Sequence, residues 1–375
     1  MKGEPYYSEP VVSVVIPTYG REAMLCATVQ AVLDLRYPHF EVIIVDKTLH
    51  HESDTERFLS KCAAQGKVRW IQDAQANLPR ARNIGVFYAK GELVVFLDDD
   101  CTPVPDLLEK YVRHFSDSLV VGVGGRVALN ETELTRNYPL PIGIAQAADQ
   151  WKLLLNRYTT SLPDALRIGG GNSCWRRQTL IALGGFHEDF RANAYGEDVE
   201  FVARARKSGG RVGYDPEAAM IHHMETSGGC RMTVEKNFLF ARNKARNYYY
   251  TVIRAKGYGF AIFEASRRCV SPLFTVLHRR KATQHEHQRP INLPRPGPVS
   301  EILVRDQPIF YKVWEVLKLK APQILASTLG IIEGFGDAWK NRRITGHYLQ
   351  TSQACQQTRV INPQENRGGY DGRSF

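Results

Sequence analysis

The sequence contains no run of eighteen or more apolar residues, so no transmembrane helix is expected. Met1 to Pro10 lacks a basic stretch followed by an apolar one, so no signal peptide is expected either. Seven cysteines are scattered at Cys26, Cys62, Cys101, Cys174, Cys230, Cys269 and Cys355, an odd number with no C-x-x-C pair. That argues against a disulfide framework and a structural zinc site, and for a reducing, cytoplasmic setting. No G-x-G-x-x-G follows the first apolar run, and G-x-x-x-x-G-K-[ST] is absent throughout. Dinucleotide-binding Rossmann enzymes and P-loop nucleotidases are therefore disfavoured.

What is present centres on Leu93-Val94-Val95-Phe96-Leu97-Asp98-Asp99-Asp100. A short apolar run bounded by turn signals reads as a strand buried on both faces. Three adjacent carboxylates repel one another, and a hard divalent cation, Mn2+ or Mg2+, would relieve the repulsion. The competing reading is a solvated acidic turn that caps the next helix. Other strands are expected at Val11–Pro17, Phe40–Asp46, Lys67–Ile71, Leu119–Val127 and Arg211–His223, the last ending in His222 and His223. Helices are expected at Glu22–Leu35, Ser53–Ala64 with a Ser53/Glu56 capping box, Pro79–Ala89 with Pro79 first, Pro105–Phe115, Ile142–Leu155 and Arg176–Leu183. A helix is also expected to begin at Glu197, Asp198 and Glu200. Strands alternating with helices imply an α/β fold with a mostly parallel central sheet and helices on both faces. Glycines 122, 124 and 125 inside a strand mark the close approach of a ligand or another backbone. Gly169-Gly170-Gly171 reads as a turn into a short strand.

Charge divides the chain unevenly. Residues 1–250 hold 30 basic and 30 acidic residues, and residues 251–375 hold 19 and 9. A basic extension on a neutral body implies an anionic partner: a membrane surface, a phosphorylated acceptor or nucleic acid. No recognised nucleic-acid motif is present, so nucleic acid is set aside. Residues 231–256 read as a basic helix, and 281–308 as an irregular linker. Residues 311–320 and 322–339 read as amphipathic helices, and the tail from 353 as disordered.

Taken in order, Val14-Val15-Ile16-Pro17-Thr18-Tyr19, Ile43-Ile44-Val45-Asp46, Ala81-Arg82-Asn83-Ile84-Gly85, Phe96 to Asp100, Gly184-Gly185-Phe186 and Gly196-Glu197-Asp198 resemble the family 2 glycosyltransferases. Each is weak alone, and their order and spacing are specific over about residues 11–250. The resemblance implies the GT-A fold, with a catalytic domain at 1–250 and a helical basic extension at 251–352. Within the domain it implies a nucleotide and metal half at about 11–127 and an acceptor half at about 128–250. The implied activity is inverting transfer of a sugar from a nucleotide-diphospho-sugar donor to a saccharide or lipid-linked saccharide, in cell-envelope or exopolysaccharide assembly. Pro17, Thr18, Tyr19, Arg21, Asp46 and Arg82 would line the nucleotide, together with Asp98 and Asp99. Asp98, Asp100 and His222 would hold Mn2+ or Mg2+, with Asp198 as catalytic base and Glu197 beside it. Lys47 departs from the family, which often has a second acid there, and no Q-x-x-R-W element occurs. A single-sugar transferase is therefore expected, peripheral at the inner face of the membrane. The alternatives are a non-catalytic sugar-nucleotide-binding or membrane-docking protein, and a nucleotidyltransferase. The last would carry a Gly-rich basic loop where Pro17-Thr18-Tyr19 stands.

Overall fold

A computed structural model describes residues 9–75, 77–141, 155–192, 194–229, 238–257, 259–262, 264, 327–339 and 359–361. The described chain alternates β1 (Val12–Thr18), α1 (Ala23–Leu33), β2 (Phe40–Asp46), α2 (Ser53–Ala64), β3 (Arg69–Gln72), α3 (Leu78–Tyr88) and β4 (Leu93–Leu97). There follow β5 (Cys101–Pro103), α4 (Leu107–Val112), β6 (Val120–Ala128), α5 (Glu131–Thr135), β7 (Asn172–Arg176) and α6 (Arg177–Ala182). The remaining elements are α7 (Glu197–Lys207), β8 (Arg211–His222), α8 (Phe238–Lys256) and β9 (Arg359–Val360).

One sheet runs in the order β5-β8-β6-β7-β4-β1-β2-β3-β9. Strands β3, β2, β1 and β4 are mutually parallel, as the strand–helix alternation requires. The other half is mixed, because β7 lies antiparallel to both β4 and β6. Alternation of side chains along each strand divides the interior in two. Val12, Val14 and Ile16 point to a core shared with Leu25, Val29, Leu59 and Leu107, under α1, α2 and α4. Val15, Ile43 and Phe96 point to a second core with Ile84, Leu180 and Phe201, under α3, α6 and α7. Covering on both faces is why the strands read as unbroken apolar runs.

Several local expectations are corrected. Glu52, in extended conformation, precedes α2 with no side-chain cap, so Ser53 lies inside the helix and the capping box does not form. Helix α3 is capped by the Asn77 side chain, which accepts from Arg80 N, and Pro79 is its second residue. The expected 105–115 helix is α4 followed by a 3-10 turn at Arg113–Ser116. Of the glycines of β6, Gly125 marks the expected close backbone approach, since a Cβ there would lie 2.0 Å from Ala218 O, while a Cβ at Gly122 would strike Trp175 and one at Gly124 would strike Ile168. Residues 359–361 are ordered against β3, with Ile71 paired to Val360 and Ile361 N donating to Trp70 O, where a disordered tail was expected. The expected helix at 142–154 with Trp151, the 281–308 linker, the 311–320 helix and the rest of the tail lie outside the described residues.

The chain divides into two compact units, 1–235 with 340–375, and 236–339. The expected boundary at 250 falls inside α8. In the second unit α8 lies close to a helix at 327–339, where a Cβ at Gly330 or Gly334 would meet the α8 backbone. Arg242 pairs with Glu333, and Arg246 with Asp337 at 2.8 Å. No described helix is long and apolar enough to cross a membrane.

Candidate active site

The parallel register brings the carboxyl ends of β1 and β2 level, with Thr18 opposite Asp46. Strand β4 then runs out into Asp98, Asp99 and Asp100 at the same edge. Ligands of open α/β sheets bind at such an edge. The chain turns at Asp100 into β5, whose Cys101 pairs with His222 of β8. That single register sets His222 beside Asp100: Nε2 lies 2.8 Å from Asp100 Oδ1 and 3.8 Å from Asp98 Oδ2. Asp98, Asp100 and His222 offer ligand atoms that all fall within 4.8 Å of one another, the one such cluster of three among the described residues. Two carboxylates and an imidazole form a donor set able to hold a divalent cation. The cradle also fits: Asp98 N donates to Gly171 O at 3.1 Å, and a Cβ on Gly171 would lie 2.1 Å from Asp98 Oδ2.

The three carboxylates are not equivalent. Asp99 turns inward, accepting from Thr18 Oγ1 at 2.7 Å and Arg21 Nε at 3.3 Å. Burial pushes its carboxyl up, Arg21 and Thr18 pull it back, and it settles at about 6. Asp100 is also buried, which alone would raise it. His222, Arg21 and the Glu225 N–H reverse this and hold it below the usual carboxylate range. Protein cations therefore relieve part of the repulsion among the three.

Arg82, buried on α3, donates to Glu197 Oε1 at 2.5 Å and lies over the rings of Phe96 and Phe186. Burial opposes its charge, and Glu197, Asp98 and Asp198 restore it. Glu197 is pushed up by burial and by neighbouring Asp198, against the pull of Arg82. Gly170 lies against the Arg82 guanidinium, where a Cβ would be 2.8 Å from Nη1. The glycine turn thus touches Arg82 at one residue and Asp98 at the next. Asp198 is half-buried in the first turn of α7, after Gly196 in the left-handed region (φ 95°). Its Oδ1 accepts from Val199 N at 2.7 Å.

The other expected donor contacts lie at or just beyond the carboxyl ends of β1 and β2. Asp46 is 0% exposed: Oδ1 accepts from Thr48 N at 2.8 Å, and Oδ2 meets His51 Nε2 at 2.7 Å and Trp70 Nε1 at 3.0 Å. Burial pulls His51 down, but Asp46 and Glu22 outweigh it and raise the imidazole to about 9. Tyr19 is 41% exposed with Lys47 Nζ 5.0 Å from its ring centre, and Pro17 is half-buried in β1. Arg21 is 3% exposed and faces the protein interior. Sequence reasoning missed the roles of Gly170 and Gly171 and the segment 223–229, where His223 N donates to Asp100 O and Glu225 N to Asp100 Oδ2. The glycine triplet and the Gly228-Gly229 pair were the available signals.

The glycosyl transferase family 2 profile matches residues 13–177. The O-antigen biosynthesis protein RfbC of Myxococcus xanthus is 28% identical over 233 residues, covering 60% of this chain and 18% of its own length. The chondroitin synthase of Escherichia coli is 26% identical over 247 residues, covering 58% of this chain and 35% of its own. Among solved structures, the mannosyltransferase PcManGT from Pyrobaculum calidifontis, in complex with GDP-Man and Mn2+, aligns with TM-score 0.49 at 15% identity. That alignment covers 90% of this chain and 89% of PcManGT. The chain spans less than half the length of the first curated relatives it matches.

Proposed function

Because residues 13–177 belong to glycosyl transferase family 2, we propose that the protein moves a sugar, with inversion, from a nucleotide-diphospho-sugar donor to a hydroxyl of a saccharide or lipid-linked saccharide. The observation that carries this reading is the Asp98, Asp100 and His222 cluster at the carboxyl edge of the sheet. These residues would hold Mn2+ or Mg2+. A divalent cation bound there supplies charge neutralisation to a departing diphosphate.

The remaining work falls to the chain's own groups. Asp198 takes the proton of the acceptor hydroxyl as that oxygen attacks the anomeric carbon. Its Oδ1 is fixed by the Val199 N–H, and its Oδ2 accepts no hydrogen bond among the described residues. Glu197, clamped by Arg82, fixes the start of α7 and so the place of Asp198. Tyr19 presents an exposed ring toward the donor side, and the half-buried Pro17 and buried Thr18 shape the loop beneath it. A single inverting attack requires no covalent nucleophile. The relatives' names, O-antigen biosynthesis protein and chondroitin synthase, favour a saccharide acceptor. The basic surplus of residues 251–375 favours work at the cytoplasmic face of an anionic membrane.

The test is release of nucleoside diphosphate from a panel of UDP-, GDP- and dTDP-sugars with and without Mn2+. One metal-dependent donor is expected. Asp198→Asn should lower its turnover by about 10²–10⁴-fold with an unchanged melting temperature. Near-wild-type turnover of Asp198→Asn would remove it as the base. Silence with every donor, in folded protein, would favour a non-catalytic binder.

A further inference from the structure

Arg21 was expected along the nucleotide, and its geometry assigns it elsewhere. Four of its five N–H groups are directed at protein acceptors. Nε donates to Asp99 Oδ1 at 3.3 Å and Nη2 to Asp100 Oδ2 at 3.0 Å. Nη1 donates to two carbonyls of the segment after β8, Glu225 O at 3.0 Å and Ser227 O. The same segment is fastened by His223 N to Asp100 O, Glu225 N to Asp100 Oδ2 and Gly229 N to Tyr19 O. Two glycines allow this closeness. A Cβ on Gly228 would lie 2.1 Å from Gly20 O, and one on Gly229 would lie 2.8 Å from Arg21 Nη2.

The two oxygens of Asp100 thereby have separate tasks. Oδ2 is held by Arg21 and the Glu225 N–H, and Oδ1 is turned toward His222. Both oxygens of Asp99 are taken, by Arg21 and Thr18. We propose that Arg21 is a positioning residue: it fixes Asp99 as a strut, presents Asp100 Oδ1 to the cation site, and straps residues 223–229 across Asp100. This rests on the reading above that Asp98, Asp100 and His222 take a divalent cation. Only a planar fork reaches two carboxylates and two carbonyls together, so lysine is no substitute despite its charge.

The experiment is a Mn2+ titration of the full chain, followed by electron paramagnetic resonance of free Mn2+, for wild type and Arg21→Lys. It is paired with amide hydrogen exchange of residues 223–229 in metal-free protein. Groups that orient metal ligands are worth about 10–100-fold in affinity. Arg21→Lys should therefore bind Mn2+ at least about tenfold more weakly, at temperatures well below its melting point, with faster exchange confined to 223–229. Unchanged Mn2+ affinity in Arg21→Lys overturns the inference. So does normal Mn2+ affinity with weakened binding of UDP or GDP measured without metal, which would make Arg21 a donor contact. Absence of Mn2+ binding in wild type removes the cation reading itself, and the inference with it. Should Arg21→Lys fail to fold, Gly229→Ala decides: its Cβ displaces Nη2, and it is expected to weaken Mn2+ binding in the same direction. Wild-type affinity in that variant overturns the proposal.

Discussion

Three consecutive glycines offer a graded perturbation of the site, because each faces something different. None of the three has positive φ, so alanine is allowed by the backbone at all of them. At Gly169 a Cβ would meet only Asn156 Nδ2, at 3.9 Å. At Gly170 it would lie 2.8–2.9 Å from the Arg82 guanidinium. At Gly171 it would lie 2.1, 2.4 and 2.5 Å from Oδ2, Cγ and Oδ1 of Asp98. Restoring ordinary contact requires the Asp98 carboxylate to retreat by about 1 Å. Its side chain is 36% exposed, so it can swing outward without disturbing the core. The expected stability cost of Gly171→Ala is about 1 kcal/mol, a melting-point drop of about 2–4 °C. Misplacing a reacting group by 1 Å costs about 100-fold in rate, equivalent to about 2.7 kcal/mol. Gly171→Ala should thus lose about two orders of magnitude in kcat/KM and bind Mn2+ more weakly. Gly170→Ala should lose less and Gly169→Ala almost nothing. The assay is donor turnover and Mn2+ binding for all three, with melting curves alongside. Gly171→Ala behaving within about twofold of Gly169→Ala would refute the placement of Asp98 in the cation site.

Two further outcomes follow from packing and protonation. Gly85 brings α3 onto β1, and a Cβ there would lie 2.2 Å from Val15 Cγ1. Gly85→Ala should destabilise by about 1–3 kcal/mol in thermal melts, and Val15→Ala in the same chain should recover part of it; no recovery would sink the packing argument. His51, raised to about 9 by Asp46 and Glu22 against its burial, binds its proton more tightly folded than unfolded. Its contribution, on the order of 1 kcal/mol, should be complete below about pH 6.5 and vanish as pH rises through 9. Denaturant melts across that range should show the decline in wild type and a flatter profile in His51→Gln, and identical slopes would count against the network.

The sequence disclosed which residue types meet better than which way they face. The run into Asp98-Asp99-Asp100 was readable because an apolar strand ending in acid has few other uses. The triplet lies in the turn after β4, so no strand period separates its members, and only the partners Thr18 and Arg21 reveal that Asp99 is turned inward. Asp46 was expected to line the nucleotide from a strand end, and its bond from Trp70, 24 residues on, is not visible in the local pattern. The antiparallel insertion of β7 was hidden because a five-residue strand, Asn172–Arg176, carries no sign of its direction or partners in its own period. The cap at Glu52 shows the limit of short motifs: Ser53 and Glu56 have the right spacing, yet the helix starts one residue earlier.

The outer edge of the sheet carries a consequence for biosynthesis. Strand β3 ends at Gln72, and its antiparallel neighbour comes from Arg359–Val360. A ribosome adding about 5–20 residues per second needs about 15–60 s to make the intervening chain. Throughout that interval Trp70 and Ile71 belong to a strand with an open edge, the geometry that recruits other chains. The nascent N-terminal half is therefore expected to be more prone to aggregation than the finished protein, and a synthetic peptide spanning residues 355–365, supplied in trans, should reduce aggregation of a fragment ending at residue 235.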